Sequence, residues 1–273
     1  MAQKRSKNTN SRATSKSKSQ YVSNPFKLVF QGMDAWLKYN QTFAVFVIVV
    51  SFSGALMNLF FSFDPTNMRG PFSNSPVAAI FSTIILLLII MASIAFTTIY
   101  SGMVAYVGLK TLKKKNVTFA EAIQASLEKF WIVLLVQIIV FLKVLGGLLL
   151  FIIPGVRAAL RYSIVNFYIF DKNSTAKEAI SQTKDLTRDH LIEVFGLQTA
   201  ASIVPVVGGL LMAGGQTKMY SQLTRLKKSK SPKPPIHWLN YLGIFLLFGI
   251  MLLIMIILVF AIIALTQLSK ISG

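Results

Sequence analysis

Arg157 and Arg161 lie four residues apart, directly after Pro154-Gly155, in a stretch from Phe130 to Phe170 that is otherwise almost wholly apolar. At i, i+4 the two guanidinium groups share one face of a helix. At bilayer depth each charge costs at least about 2.5 to 3.5 kcal/mol unless carboxylate, phosphate or water meets it. Two readings stay open. The arginines either snorkel along their apolar stems to headgroups or pair structurally, or they bind a phospholipid or another anionic ligand. Asp185, Asp189 and Glu193 fall at i, i+4 and i+8 beside His190, a stripe that accepts the arginines, holds a cation or faces solvent. The candidate ligand-binding set, for anionic lipid or substrate, is Arg157, Arg161, Tyr162, His190 and Glu193. Lys143, alone inside an apolar run, is expected to snorkel or to meet polar backbone near the following turn.

Other chemistry is poorly supplied. The chain has no cysteine, which excludes a disulfide framework, a thiolate metal site and a thiol nucleophile. His190 and His237 are its two histidines, too few to suggest a His-based metal site or a Ser-His-Asp arrangement. No catalytic residue, metal or cofactor is expected, and the chain reads as a non-enzyme.

The elements that must position these groups belong to a membrane protein. Apolar residues make up 54% and charged residues 14% of 273, against about 25% charged in soluble domains, and the apolar residues come in blocks rather than stripes. The fold class predicted is all-α: a polytopic helical membrane protein of about 5–7 membrane segments, with two Pro/Gly-broken hairpins and cytoplasmic interfacial helices. Residues 1–24 carry six basic and no acidic side chains and read as a disordered cytoplasmic tail; residues 25–273 read as a single helical membrane domain. Segments are expected at about 42–61, 77–109, 130–153, 156–170, 191–204, 206–222 and 239–265. Residues 25–40 read as an interfacial helix with Phe26, Val29, Phe30, Met33, Trp36 and Leu37 on its apolar face.

Two short segments repeat. Thr118-Phe119-Ala120-Glu121-Ala122-Ile123 parallels Thr175-Ala176-Lys177-Glu178-Ala179-Ile180, each a Thr-x-x-Glu capping box that starts a helix. An apolar stretch broken by Pro and Gly follows each: first at Pro154 and Gly155, then at Pro205, Gly208 and Gly209. Those five residues are the structural positions of two hairpins. Lys110 and Lys113 to Lys115, with the six basic residues from Lys218 to Lys233, place both hairpin bases and the N-terminus in the cytoplasm. The arms 156–170 and 191–204 are shorter than the about 20 residues of a straight span.

The elements Ile153-Pro154-Gly155, Arg161-Tyr162-Ser163, Asp171, Glu178-Ala179-Ile180, Leu186-Thr187, His190 and Phe195-Gly196 resemble the membrane-domain family of bacterial glycerophosphoryl diester phosphodiesterases and its uncharacterised stand-alone integral membrane relatives. In that family a Ser commonly precedes a Leu-x-x-Gly-His-like segment, where this chain has Thr183 and Asp189-His190. The resemblance implies a multi-pass membrane fold. It does not imply hydrolysis, because the catalytic barrel of the fused proteins is not within these 273 residues.

A net charge of +19 invites a nucleic-acid partner, but no aromatic residues interleave the tail's basic residues to stack on bases. Membrane lipids, anionic ones above all, are the expected partners, at about 1 kcal/mol per basic residue near the surface; a protein partner is compatible and left unspecified. The expected function is a non-catalytic multi-pass protein of the cell (plasma or inner) membrane with an organising or accessory role in the envelope. The alternative is a transporter or lipid-handling protein that uses broken helices around Arg157 and Arg161.

Overall fold

A computed structural model describes residues 21–60, 76–229 and 234–271, and every regular element among them is helical. The expected disorder of the first twenty residues, most of the 62–76 loop and part of the Pro-rich linker lie outside the described residues. Residues 21–24 run beside the linker and are fastened to it: Ser23 Oγ donates to Pro235 O at 2.9 Å and Asn240 Nδ2 donates to Ser23 O at 2.8 Å.

One end of the molecule is a packed basic layer. Its centre is α1 (Pro25–Tyr39) against α10 (Gly208–Ser229). Asn24 starts α1 by accepting from Lys27 N at 3.1 Å, with Pro25 at the first position, where a missing N–H costs nothing. The face of α1 that is buried carries Leu28, Val29, Gly32 and Trp36, while Phe30 and Leu37 are exposed. Thus one face of α1 is built into the core. Of the six residues expected on its apolar face, Val29 and Trp36 are buried and Phe26 and Met33 pack against the core, and the closest contact is made by a glycine: a Cβ on Gly32 would lie 2.7 Å from Gly214 Cα. The C-terminal part of α3 (Pro76–Leu112) packs on this pair and α8 (Ala176–Thr187) on α10, while α4 (Phe119–Glu128) and α7 (Val165–Lys172) pack on α3.

From this layer extend apolar arms. Three helices are long and apolar enough to cross a membrane: Ile80–Leu112 within α3, Phe130–Leu150, which is α5, and Trp238–Ala264, formed by a 3₁₀ turn and α11 (Leu242–Ile271). A shorter apolar stretch, Gln41–Gly54, opens α2 (Gln41–Phe60). At 37 residues, α3 runs about 55 Å, more than the about 30 Å hydrocarbon thickness; its surplus is the part built into the basic layer. The outer arm surfaces, such as Ile84 to Ile90, face away from the protein, as helices in lipid must.

Both anticipated hairpins form, with turns that differ from expectation. In the first, α5 and α6 (Ile152–Tyr162) pack against each other, and the chain reverses at Phe151, whose φ −163° and ψ 154° are extended. Pro154 and Gly155 therefore sit in the first turn of α6 and not at the tip. Pro154 is tolerated there because early helical N–H groups have no partner to lose. Gly155 allows close approach, since a Cβ on Gly147 would lie 2.7 Å from Gly155 N. The segment expected over 156–170 is not continuous: α6 ends at Tyr162 and α7 begins at Val165. In the second hairpin α9 (Leu191–Ser202) turns through 203–207, which contains Pro205, into α10. Gly208 and Gly209 bring the start of α10 against Ala201 and Ser51.

The paired capping boxes are only half matched. Thr175 and Glu178 bond each other's backbone N–H, at 3.0 and 3.4 Å. Thr118 accepts from Glu121 N at 3.2 Å, but the Glu121 carboxylate is turned to Tyr106 (2.5 Å) and Lys110 (3.1 Å) on α3.

Candidate functional site

The expected site residues belong to three neighbouring environments. Arg157 lies on α6, six residues past the Phe151 turn, which puts it about 9 Å back from the hairpin tip. It is exposed and lines an open groove of about 240 Å³ between α6, α9 and α11, otherwise walled by apolar residues such as Val156, Phe195 and Leu247. Arg161, one turn deeper, is half-buried, and its Nε is fully covered without a hydrogen bond among the described residues. Its carbonyl accepts from Thr187 Oγ1 at 3.0 Å, which ties α6 to the end of α8.

Tyr162 is buried and already engaged. Lys143 of α5 donates to its hydroxyl at 3.3 Å and lies 5.0 Å from the ring centroid. Lys143 thus meets an aromatic face and a phenol across the hairpin, an interaction that partly offsets the cost of a cation at this depth. Tyr162 serves Lys143 and is not presented to a ligand.

His190 and Glu193 form the third environment. Residues 188–190 are a turn, with His190 N donating to Thr187 O at 3.0 Å. This turn separates α8 from α9, so Asp185, Asp189 and Glu193 do not share a helical face: Asp185 and Asp189 are exposed, whereas Glu193 is 2% exposed. His190 Nδ1 and Glu193 Oε1 approach to 3.2 Å. Burial, and then the Glu193 charge, raise the nearby Tyr21 phenol well above its ordinary range. The carboxylate is thus set among the His190 ring and the Tyr21 strap. Among the described residues no group of three or more His, Asp or Glu is placed to hold a metal ion.

Polar residues that stood out less in the sequence form two further networks. Asn40, at the joint of α1 and α2, donates to Thr111 Oγ1 (2.9 Å) and Lys115 O (3.1 Å) and accepts from Val117 N (2.9 Å). Its signal was a polar residue between an amphipathic helix and an apolar one. Between α3 and α5, Gln137 accepts from Thr98 Oγ1 (2.9 Å) and donates to Ser101 Oγ (2.7 Å), a bond across two spanning helices of the kind that holds membrane bundles together.

Comparison with known proteins leaves the chain by itself. No family model, no curated protein and no solved structure matches it. The chemistry of the site therefore rests on its geometry.

That geometry includes a cavity of about 310 Å³ inside the bundle, where α3, α7 and α10 meet. Ser101, Ser163, Asn166 and Gln216 supply its polar groups, and Gly209 lines it as well. Ser163 lies at the break between α6 and α7 and Gly209 at the start of α10, so residues beside both chain interruptions border one uncharged, mostly apolar cleft with a few polar groups. Irregular backbone at membrane depth is tolerated where protein buries it or a wet cavity receives it.

Proposed function

We propose that this protein is a non-catalytic, multi-pass component of the cell membrane that organises or assists envelope components while holding anionic phospholipid. The observation that carries the reading is the first hairpin. Lys143, Arg157 and Arg161 lie on two adjoining helices, the first of them long and apolar enough to cross a membrane, and none of the three belongs to an ion pair among the described residues. Lipid phosphate is the abundant counter-charge within reach of side chains that snorkel from there. In this reading the basic layer faces the cytoplasm with the N-terminus, as the Lys and Arg of the connecting segments favour, and the hairpin tip points to the opposite leaflet. Kinship with the membrane domains of glycerophosphoryl diester phosphodiesterases is part of the same proposal and supplies a fold, not an activity.

Replacing Arg157 and Arg161 together with Gln tests it. The variant should still insert, but anionic phospholipid co-purified with it and weighed by native mass spectrometry should fall at least about fivefold, an affinity loss of about 1 kcal/mol. Unchanged lipid rejects the proposal. A second reading, a transporter or lipid-handling protein, is favoured by the uncharged cleft, mostly apolar with a few polar groups, beside both helix interruptions. Its test is solute or lipid flux in proteoliposomes, abolished by Gly209→Leu.

A further inference from the structure

A second concentration of positive charge lies at the other end of the molecule, away from the hairpin arginines. Between α1, the end of α3 and α10 is a pocket of about 270 Å³, just below the about 300 to 1,000 Å³ of sites for drug-sized ligands. Lys114 enters it from the turn after α3, and Lys218 and Arg225 enter from α10. Those last two are seven residues apart, two turns along one helical face. Gln31 and Tyr39 of α1 and Ser221 of α10 add neutral hydrogen-bonding groups. No carboxylate lines the pocket. Lys114 and Lys218 take part in no ion pair among the described residues, and Asp34, the acid on α1, is exposed and outside the lining.

Several backbone and hydroxyl acceptors beside the pocket are already used, whereas the Gln222 amide, also in the lining, has its Oε1 buried without a hydrogen bond among the described residues and can turn its N–H groups to a ligand. The carbonyls of Lys110 and Thr111, at the end of α3, accept from the backbone N–H groups of Lys113, Lys114 and Lys115 at 3.0 Å each. In the pocket floor Thr217 Oγ1 donates to Ala213 O at 2.7 Å and accepts from Trp36 Nε1 at 3.4 Å. Lys114 itself has φ +57°, the left-handed region where glycine or asparagine is cheaper. The turn thus keeps a lysine where a residue without a long side chain would be less strained, and that side chain is what lines the pocket.

We infer that this pocket binds a phosphate group borne by a small polyol. Two ammonium groups and a guanidinium fork supply charge and directed N–H donors to phosphate oxygens, and Gln31 and Ser221 are suited to polyol hydroxyls. The pocket lies where α3, long and apolar enough to span a membrane, ends, and the same chemistry is met by the glycerophosphate headgroup of a lipid or by a soluble phosphoester. This inference does not depend on the role proposed for Arg157 and Arg161.

The experiment uses the full chain in two arms. In detergent, glycerol 3-phosphate and inorganic phosphate are titrated calorimetrically; in bilayer nanodiscs, retention of phosphatidylglycerol is compared with that of phosphatidylcholine. The proteins are wild type, Lys114→Gln with Lys218→Gln, Lys114→Gln alone, and Arg157→Gln with Arg161→Gln. Wild type should bind in at least one arm. The double lysine variant should bind about tenfold or more weakly, about 1.4 kcal/mol, Lys114→Gln alone should bind about threefold more weakly, and the arginine variant should match wild type in the detergent titrations with soluble phosphates; in nanodiscs, where the hairpin arginines are themselves proposed to hold anionic lipid, the lysine variants alone read this pocket. Binding of glycerol 3-phosphate identifies the soluble source, and selective retention of phosphatidylglycerol alone identifies the lipid. Lys114 is exposed, so its single variant keeps the fold and decides the matter if the double variant does not purify. Wild type that binds neither probe, or lysine variants that bind as well as wild type, overturn the inference.

Discussion

Trp36 and Trp131 share a chemistry and differ in everything else. Trp36 is 0% exposed in the basic layer, with its indole N–H directed at Thr217, whereas Trp131 is 76% exposed near the start of an apolar arm. The layer buries apolar side chains because helices that also carry polar residues must turn one face inward. The arms turn apolar side chains outward, as helices long and apolar enough to cross a membrane do where lipid is the solvent, so the same composition encodes no inward face. Structure in the layer is specified by particular contacts, and in the arms by length and hydropathy. If that contrast is right, equal substitutions must have unequal effects in the two regions.

The largest difference is expected from the tryptophans themselves. Trp36→Ala should cost about 3 to 5 kcal/mol, the usual range for a wholly buried aromatic. Trp131→Ala should cost less than about 1 kcal/mol, as expected away from packed features. Thermal unfolding in a fixed nanodisc, followed by near-ultraviolet circular dichroism, compares them; equal shifts would dissolve the distinction between the regions. Next come the glycines. Gly32→Ala puts a methyl group against the backbone of Gly214, which cannot rotate away, and should cost about 3 kcal/mol by overpacking. Gly146→Ala, on α5, meets nothing within 4 Å and should be neutral or stabilising by up to about 1 kcal/mol. A tolerated Gly32→Ala would mean that the helices do not cross so closely.

The same contrast explains what could be read from the residues. The spanning part of α3 was legible to within three residues of its end at Leu112, because an unbroken apolar run closed by lysines is a local signal. The two hairpins were legible for a similar reason, since Pro and Gly punctuate the apolar blocks. The buried face of α1 was legible at Val29 and Trp36 but not at its closest contact, Gly32, which has no hydrophobicity to reveal it. Nor was the diversion of Glu121 from its cap, because Tyr106 and Lys110 are brought to it only by the fold. Within the candidate site, the exposed place of Arg157 on an apolar surface follows from its position in the hairpin. The separation of His190 and Glu193 from Asp185 turned on a helix break that carries neither Pro nor Gly.

Asn40 tests the contrast with a polar residue. It is 4% exposed and holds three hydrogen bonds that join the α1–α2 joint to the segment after α3. Asn40→Ala strands Val117 N and should cost about 2 to 3 kcal/mol. Ser93→Ala, in an arm, removes a hydroxyl that is exposed and bonded only to Ile89 O one turn back; it should change stability by less than about 0.5 kcal/mol.

The smallest effect distinguishes two carboxylates by pH. Burial pushes the Asp171 carboxyl up, but hydrogen bonds from Lys172 and Tyr220, with the charges of Lys172 and Lys113, outweigh it and hold the group below its ordinary 3.8. A depressed folded value means that the unfolded chain takes up the proton first as pH falls. The contribution of Asp171 is therefore complete above the ordinary value and is lost as pH falls through the folded one. Burial, and then the Asp171 hydrogen bond and charge, raise the Tyr220 phenol, so it remains a donor throughout. Tyr220→Phe removes a bond of 2.8 Å and should cost about 1.5 kcal/mol at neutral pH; it should also move the acid loss of stability to higher pH, because the carboxylate keeps fewer donors. Glu121 is lowered by hydrogen bonds from Tyr106 and Lys110 in the same way, but its side chain is 43% exposed and water competes for it. Glu121→Gln should therefore change stability by less than about 1 kcal/mol. Melting curves from about pH 7 to pH 3 should show a smaller acid-dependent loss for Asp171→Asn than for Glu121→Gln. The reverse order would place the decisive electrostatic contact at the end of α3 and not between α7 and α10.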